Sequence, residues 1–506
     1  MRLINVLRHT IVATAIGSFL PSAALALTSD NFGNFNTSKL HGGDTAFVGA
    51  NVFNPEKGTS ITDVTILVSD GNFVRIQPES QPIPTNYTII DVNNKWVMPG
   101  LIDGHIHLAQ SGSAFTRPDT FDATKIKAYE DDQQWLLENT ENILKRYLKL
   151  GITTVYDLGG PSEYLPHYQQ VASMGVLPDI YAAGTLLSPM DIPQLDINGK
   201  TFTKVANTKE ALTMVDKQLA LQSKMVKIVW SQETGLSTQQ LYDLFKPAID
   251  FAHKNGRLIA VHVEDLVNAK MAVKAGADIL VHGVINDPVD SEFIQLMLTN
   301  NVTYMPTLSA YDHYFELFKN ELQFTDFEQN HGSTEVVGSF SRLMENVAQT
   351  DQMFQILLKF VPMVDIADSE LAKMTEREQS IIKQLRTMFS SNLQSVQKSN
   401  LQKMVNSGVN VAFGTDAGNP GTLHAVSLIG EIIEWQRAGV SNGDILKAMT
   451  YGNAVTLRLS ERIGTIATGK HANFIVLDED PVSNINTLEQ PKMTVKRGVI
   501  ATFDAQ

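Results

Sequence analysis

The chain is predicted to be an α/β protein, a (β/α)8 TIM barrel flanked by a small β domain built from both chain ends. Three observations predict it. First, β-type and helical patterns alternate through the middle of the chain, the mark of βα units around a parallel sheet. Second, the strand-like runs there number eight, near residues 98, 152, 180, 226, 259, 280, 303 and 410. Third, isolated polar residues end several of these runs, where active sites of such barrels sit. Both ends of the chain have strand texture without helices.

Taken in order, residues 1–26 read as an export signal. Arg2 and Arg8 make a basic start, an apolar stretch runs from Thr10 to Leu20, Pro21 breaks it, and Ala24-Leu25-Ala26 completes a cleavage pattern. The apolar stretch is too short to span a bilayer. The mature chain is therefore expected outside the cytoplasm, periplasmic or secreted, with no membrane insertion after signal removal. Cleavage takes away two arginines and no acid, so the formal charge moves from −14 to −16. Such an acidic chain is a poor partner for nucleic acid or anionic lipid. Cys is absent, which excludes disulfides, thiolate metal sites and a cysteine nucleophile.

Residues 27–97 form the first part of the β domain, after a lead-in to residue 45 rich in Asn, Ser, Thr and Gly. Short β runs follow, and Asp70-Gly71 between two of them signals a hairpin. Residues 455–506 have the same texture and are expected to complete that domain.

Residues 98–454 are expected to form the barrel. The pattern from about Gln239 to Lys254 is a helix, with a Ser237/Gln240 capping box, apolar Leu241, Leu244, Phe245, Ile249 and Ala252, and Gly256 as its stop. Pro247 within it predicts a kink. One connection, 309–406, is abnormally long and is read as a helical insertion forming a lid or wall. It should hold a helix from a Thr375/Glu378 capping box carrying Ile382, Leu385, Phe389, Val396 and Met404, ending at Gly408. Its aromatics Tyr311, Tyr314, Phe315 and Phe318 are weighted toward local core.

The chemistry concentrates at strand ends. In Gly104-His105-Ile106-His107 the alternation of a strand puts both imidazoles on one face, able to serve one ion. Lys227, His262, His282 and Asp416 end other apolar runs. Four imidazoles and a carboxylate suit a zinc-like divalent ion, and there are ligands enough for two ions if something bridges them. A cationic Lys227 beside metals would be repelled, so it is neutral or modified there, or else it pairs with an acid at the barrel mouth. Spacing alone does not choose.

At this point the sequence resembles the amidohydrolase superfamily, in its imidazolonepropionase-like and Xaa-Pro dipeptidase-like branch. The resemblance is carried by residues 98–107, Gly151-Ile152-Thr153-Thr154-Val155, Val226-Lys227-Ile228, Val261-His262, His282-Gly283, Gly414-Thr415-Asp416-Ala417-Gly418 and residues 464–470. It implies that the β domain is a β-sandwich. It also implies two divalent metal ions: His105 and His107 on the first, a carboxylated Lys227 bridging both, His262 and His282 on the second, and catalytic Asp416 on the first as proton shuttle. Two departures stand out. Tyr156 occupies a position where relatives often carry Arg, and Asp265 replaces the Glu that deaminases place three residues after the strand-five His, which argues against deamination.

The expected function is hydrolysis of an amide or peptide bond in a small substrate, a dipeptide or N-acyl amino acid. A metal-bridging hydroxide attacks, and Asp416 passes its proton to the leaving nitrogen. The alternatives are a hydrolase opening a cyclic amide or lactone, and a metal-binding protein without catalysis. Gln232, Tyr304, Tyr311, His313 and His424 are candidate substrate contacts. Association into a homo-oligomer is left open.

Overall fold

The computed structural model describes residues 43–501, apart from 175, 232 and 233. The expected export signal at 1–26, the lead-in up to residue 42, residues 502–506 and candidate contact Gln232 lie outside the described residues.

The N-terminal part supplies β1 (Thr45–Asn54), β2 (Thr59–Ser69), β3 (Asn72–Pro78), β4 (Thr88–Asp91) and β5 (Trp96–Pro99). Asp70 (φ 48°) and Gly71 (φ 74°) turn β2 into β3, the doubly left-handed turn that matches strand twist. The middle of the chain supplies β6 (Leu101–Ile106), β7 (Ile152–Asp157), β8 (Asp179–Ala182), β9 (Leu186–Ser188), β10 (Phe202–Lys204), β11 (Met225–Val229), β12 (Leu258–His262), β13 (Ile279–Val281) and β14 (Thr303–Met305). The last part supplies β15 (Phe474–Leu477), β16 (Met493–Lys496) and β17 (Val499–Ala501).

Both ends of the chain share one sheet, in the order β17-β16-β15-β5-β1-β2-β3 with β4 beside β1. Phe47 from one end meets Phe474 from the other edge-to-face, with ring centroids 4.9 Å apart. The apolar run before His105 does not act as one strand. Trp96–Pro99 pairs with β15 in the end sheet, and the chain crosses to the central strands at Gly100. Gly100 N donates to Asn473 O, and the next residue, Leu101 N, donates to Gly151 O, both at 2.9 Å.

The central strands are parallel, in two sheets ordered β6-β7-β8 and β10-β9-β11-β12-β13-β14. The short β9 and β10 are additions to the eight expected runs. Single parallel bridges join Ala183 to Met225, Tyr304 to Val411 and Ile106 to Ala417. The run near 410 thus pairs through bridges and not as a regular strand. It contacts β14 at one end and β6 at the other, and Asp416 turns left-handed at φ 59°.

The helix at Thr238–Lys254 carries the Ser237/Gln240 capping box and buries Leu241, Leu244, Phe245, Ala248, Ile249 and Ala252. Pro247 lies within it and the helix runs on through it. The 309–406 connection is helical throughout its length in short pieces. The single long helix expected after Thr375 is two: Glu376–Arg386, then Ser391–Asn406. Ser390 divides them, because its hydroxyl caps Leu393 N and its own backbone is extended. Phe389 therefore sits in the break and packs on Phe315 and Phe318. Among the described residues no helix is long and apolar enough to cross a membrane.

Candidate metal centre and active site

The strand that carries His105 and the run that carries Asp416 are held backbone to backbone. Gly104 N donates to Phe413 O at 2.9 Å and Asp416 N to His105 O at 2.7 Å. That approach requires glycine on both sides. A Cβ at Gly104 would lie 2.6 Å from Phe413 O, and one at Gly414 would lie 2.6 Å from His105 Cβ. Asn453 clamps the same seam, donating to Ile102 O at 2.7 Å and Phe413 O at 2.9 Å.

Across this seam the side chains converge. His105 Nε2 lies 3.2 Å from His107 Nε2. Asp416 Oδ1 lies 3.2 Å from His105 Nε2 and 3.1 Å from His107 Nε2. Asp416 Oδ2 is 3.6 Å from His282 Nδ1, and the rings of His262 and His282 have centroids 4.5 Å apart. Ligand atoms of His105, His282 and Asp416 lie within 4.8 Å of one another. Lys227 and His262 face the same cavity. His282 (φ 73°) and Asp416 (φ 59°) both have left-handed backbones, a cost that recurs at functional sites.

The hydrogen bonds behind the ligands orient them. His107 Nδ1 donates to Gly159 O at 2.8 Å, which leaves its Nε2 lone pair for the centre. His282 Nδ1 pairs with Thr307 Oγ1 at 3.0 Å. Burial, and then the neighbouring Lys227, hold His105 and His262 well below the ordinary imidazole range; for His282, burial is followed by His262 and then Lys227. These rings are neutral and have lone pairs to offer. Burial also lowers Lys227 to about 7, against the attraction of Asp416.

A divalent cation fits this donor set. Lys227 Nζ and Asp416 Oδ1 are buried without a hydrogen-bond partner, a costly state for polar atoms unless something else engages them. Neutral imidazoles with nitrogens facing each other and a carboxylate are oxygen and nitrogen donors of the kind borderline divalent ions take.

The remaining sequence-derived candidates separate. Tyr311 lines the cavity, its hydroxyl donating to Met388 O at 2.8 Å. Tyr304, His313 and His424 are not brought to the cavity wall. Tyr304 OH accepts from Val284 N at 3.0 Å and so holds the turn after His282. His313 Nδ1 pairs with Thr422 Oγ1 at 3.2 Å. His424 bridges Gln110 O (2.8 Å) and Tyr147 OH (3.0 Å), and burial lowers it to about 4. All three are polar groups satisfied inside the scaffold.

Sequence reading missed Arg117 and Asn419 and weighted Tyr314 toward core; all three line the cavity. They come from the loop after β6, from the loop after Asp416 and from helix Leu308–Lys319. Arg117 and Asn419 lie in no periodic pattern, and only the pairing of Arg117 with Asp119 two residues on carried any signal, whereas Tyr314 falls on the helical spacing of Tyr311, Phe315 and Phe318 and so reads as core.

No curated protein sequence matches the chain. Solved structures of the same fold include one described as a putative prolidase from Bifidobacterium longum, 21% identical, with a TM-score of 0.63 over 90% of this chain and 94% of that one. Another is a Xaa-Pro dipeptidase with bound methionine in the active site, 19% identical, TM-score 0.62, covering 91% and 100%. A third is A. niger ochratoxinase, 17% identical, TM-score 0.62, covering 90% and 95%. Residues 96–501 match the model of the amidohydrolase family, a generally metal-dependent group. With that match spanning most of its length and a His/Asp group suited to an ion, this chain belongs to the amidohydrolase family and is a hydrolase of carbon–nitrogen bonds.

Proposed function

We propose that the chain is an exported amidohydrolase cleaving an amide or peptide bond in a small substrate, a dipeptide or N-acyl amino acid. The observation that carries the reading is the convergence of His107, His262, His282, Lys227 and Asp416 on one cavity of about 180 Å³, with His105 behind its wall 3.2 Å from Asp416. In this reading the metal content is two divalent ions, zinc by donor chemistry, with His105, His107 and Asp416 on one and His262 and His282 on the other. Lys227, as a carbamate, would be a ligand to both. In support, a buried amine with an ordinary pKa brought to about 7 is neutral often enough to take up carbon dioxide, and its Nζ has no hydrogen-bond partner. When bound, the ions supply an activated water and polarise the scissile carbonyl. Asp416, whose Oδ1 lies 3.2 Å from His105 and 3.1 Å from His107, would accept a proton there and pass it to the leaving nitrogen. The strand-end ligands support a closed (β/α)8 barrel over 98–454, as do the bridge that joins the two central sheets and the two bridges that join them to the run near 410. The shared terminal sheet supports a β-sandwich domain from both chain ends. Export rests on the sequence of residues 1–26.

A hydrolysis screen over dipeptides, N-acyl amino acids and lactones, with and without chelator, tests the reading. Chelator-sensitive release of amino acids is expected. Turnover of lactones alone moves the assignment to ring opening, and no turnover of any class with metal bound rejects catalysis.

A further inference from the structure

Resting on that reading, we propose that Arg117 binds a carboxylate carried by the substrate, so that the natural substrate is a small amide bearing a free acid group. Arg117 sits in the loop after β6, and its guanidinium is clamped from behind. Asp119, fully buried, accepts from Nε and Nη2, both at 2.7 Å. Asn419 Oδ1 accepts from Nη1 at 3.0 Å, and Tyr314 OH donates to that same oxygen at 3.0 Å. Three of five guanidinium N–H groups are thus engaged, leaving one on each terminal nitrogen. Of the ion pair, Arg117 faces the cavity and Asp119 does not.

The arrangement differs from a purely structural ion pair, which is satisfied by hiding both charges or leaving both in water. Here the anion is hidden and the cation is presented. Asn419 also donates to Asp416 O at 3.1 Å, so one side chain fixes the guanidinium relative to the loop that carries a metal ligand. A substrate group held by Arg117 is therefore at a set distance from the reacting bond. Lys227 is the other cationic residue type lining this cavity, and it belongs to the metal centre. Much of the remaining wall is apolar, with Leu186, Phe202, Val229, Met388, Phe389 and Leu393, suited to the body of the substrate and not to its charge. The two N–H donors left on the terminal nitrogens can each meet one oxygen of a carboxylate.

The test uses metal-loaded full-length enzyme and two pairs of probes. N-benzoyl-L-leucine is compared with its C-terminal amide as substrates, and 4-phenylbutyrate with 4-phenylbutanamide as ligands measured by calorimetry. A charge-assisted bond of this kind should favour each acid by about 10- to 100-fold. In the double variant Arg117→Gln/Asp119→Asn, which removes both charges and strands neither, the preference should collapse to near parity. If that variant does not fold, Arg117→Lys, which keeps the charge and loses the fork, should give an intermediate preference. A preference that survives intact in either variant means the metal ions bind the acid, and it overturns the proposal, as does no preference in the wild type. If neither benzoyl compound is cut but the Arg117-dependent preference between the phenylbutyl ligands holds, the carboxylate site stands and the amide reading of the reaction falls.

Discussion

Thr415 Oγ1 donates a 2.7 Å hydrogen bond to Asp103 Oδ2, tying the strand that carries His105 to the run that carries Asp416. Asp103 Oδ1 also accepts from Thr415 N at 3.0 Å and from His105 N at 3.3 Å, and Thr415 Oγ1 accepts from Ala417 N at 3.1 Å. Thr415→Val keeps the shape and removes the hydroxyl, which leaves Asp103 Oδ2 without its donor and Ala417 N without its acceptor. Each orphaned buried group costs about 1–3 kcal/mol. A lower urea midpoint and weaker metal retention in dialysis should follow, and Thr415→Ser should restore most of both. An unchanged midpoint in Thr415→Val would show that the seam does not depend on this bond.

Lys227 is completely enclosed, and its amine has no partner among the described residues. If it is a carbamate bridge, Lys227→Ala loses metal and activity together, and acetate or propionate restores part of both. Enzyme incubated with 13C-bicarbonate should show a carbamate carbon by NMR that Lys227→Arg lacks. An unmodified amine in fully active enzyme would reject the bridge and leave a single-ion mechanism.

Much of this centre was readable because it is local. His105 and His107 share a face through strand period alone, and the Ser237/Gln240 box announces its helix within four residues. What the sequence did not disclose depends on contacts distant along the chain. Nothing near Ser390 distinguishes it from a surface position of one long helix, and the break shows only when Phe389 is seen packing on Phe315 and Phe318. Tyr304 lies near the ligands in sequence pattern, yet its hydroxyl is consumed by Val284 N. Arg117 is held at the cavity in part by Asn419, about three hundred positions away, which receives its Nη1.

The insertion is also joined to the rest of the chain by a charge cluster that should make stability depend on pH. Lys398 bridges Asp312 at 3.1 Å and Glu434 at 2.6 Å. Beside them Glu316 is pushed up to about 7, first by burial and then by Asp312 and Glu434. A carboxyl raised on folding means the folded state binds the extra proton, so its contribution is complete below the unfolded value, near 4.5, and is lost as pH rises through about 7. Glu316→Gln mimics the protonated form. It should leave the melting temperature unchanged at pH 4.5 and raise it at pH 8. A gain that is the same at both values would assign the effect to packing.

The last expectation concerns how large a substrate the centre admits. Tyr311, Tyr314, Met388, Phe389 and Leu393 from the insertion line the cavity. Their support is rigid: Phe389 stacks on Phe315 with ring centroids 6.0 Å apart and planes 15° off parallel, and meets Phe318 at 5.5 Å. A volume of about 180 Å³ is below the roughly 300–1,000 Å³ of pockets that take drug-sized ligands. Free dipeptides should therefore be cleaved faster than the same bonds inside longer peptides or proteins. Phe389→Ala removes the aromatic wall at a stability cost of about 3–5 kcal/mol, and the ratio of long- to short-peptide turnover should rise because space is opened where the chain would continue. The ratio is the useful readout, since a loss of folded protein lowers both rates alike. Wild-type enzyme that cuts long chains as well as dipeptides would show that the insertion does not roof the site.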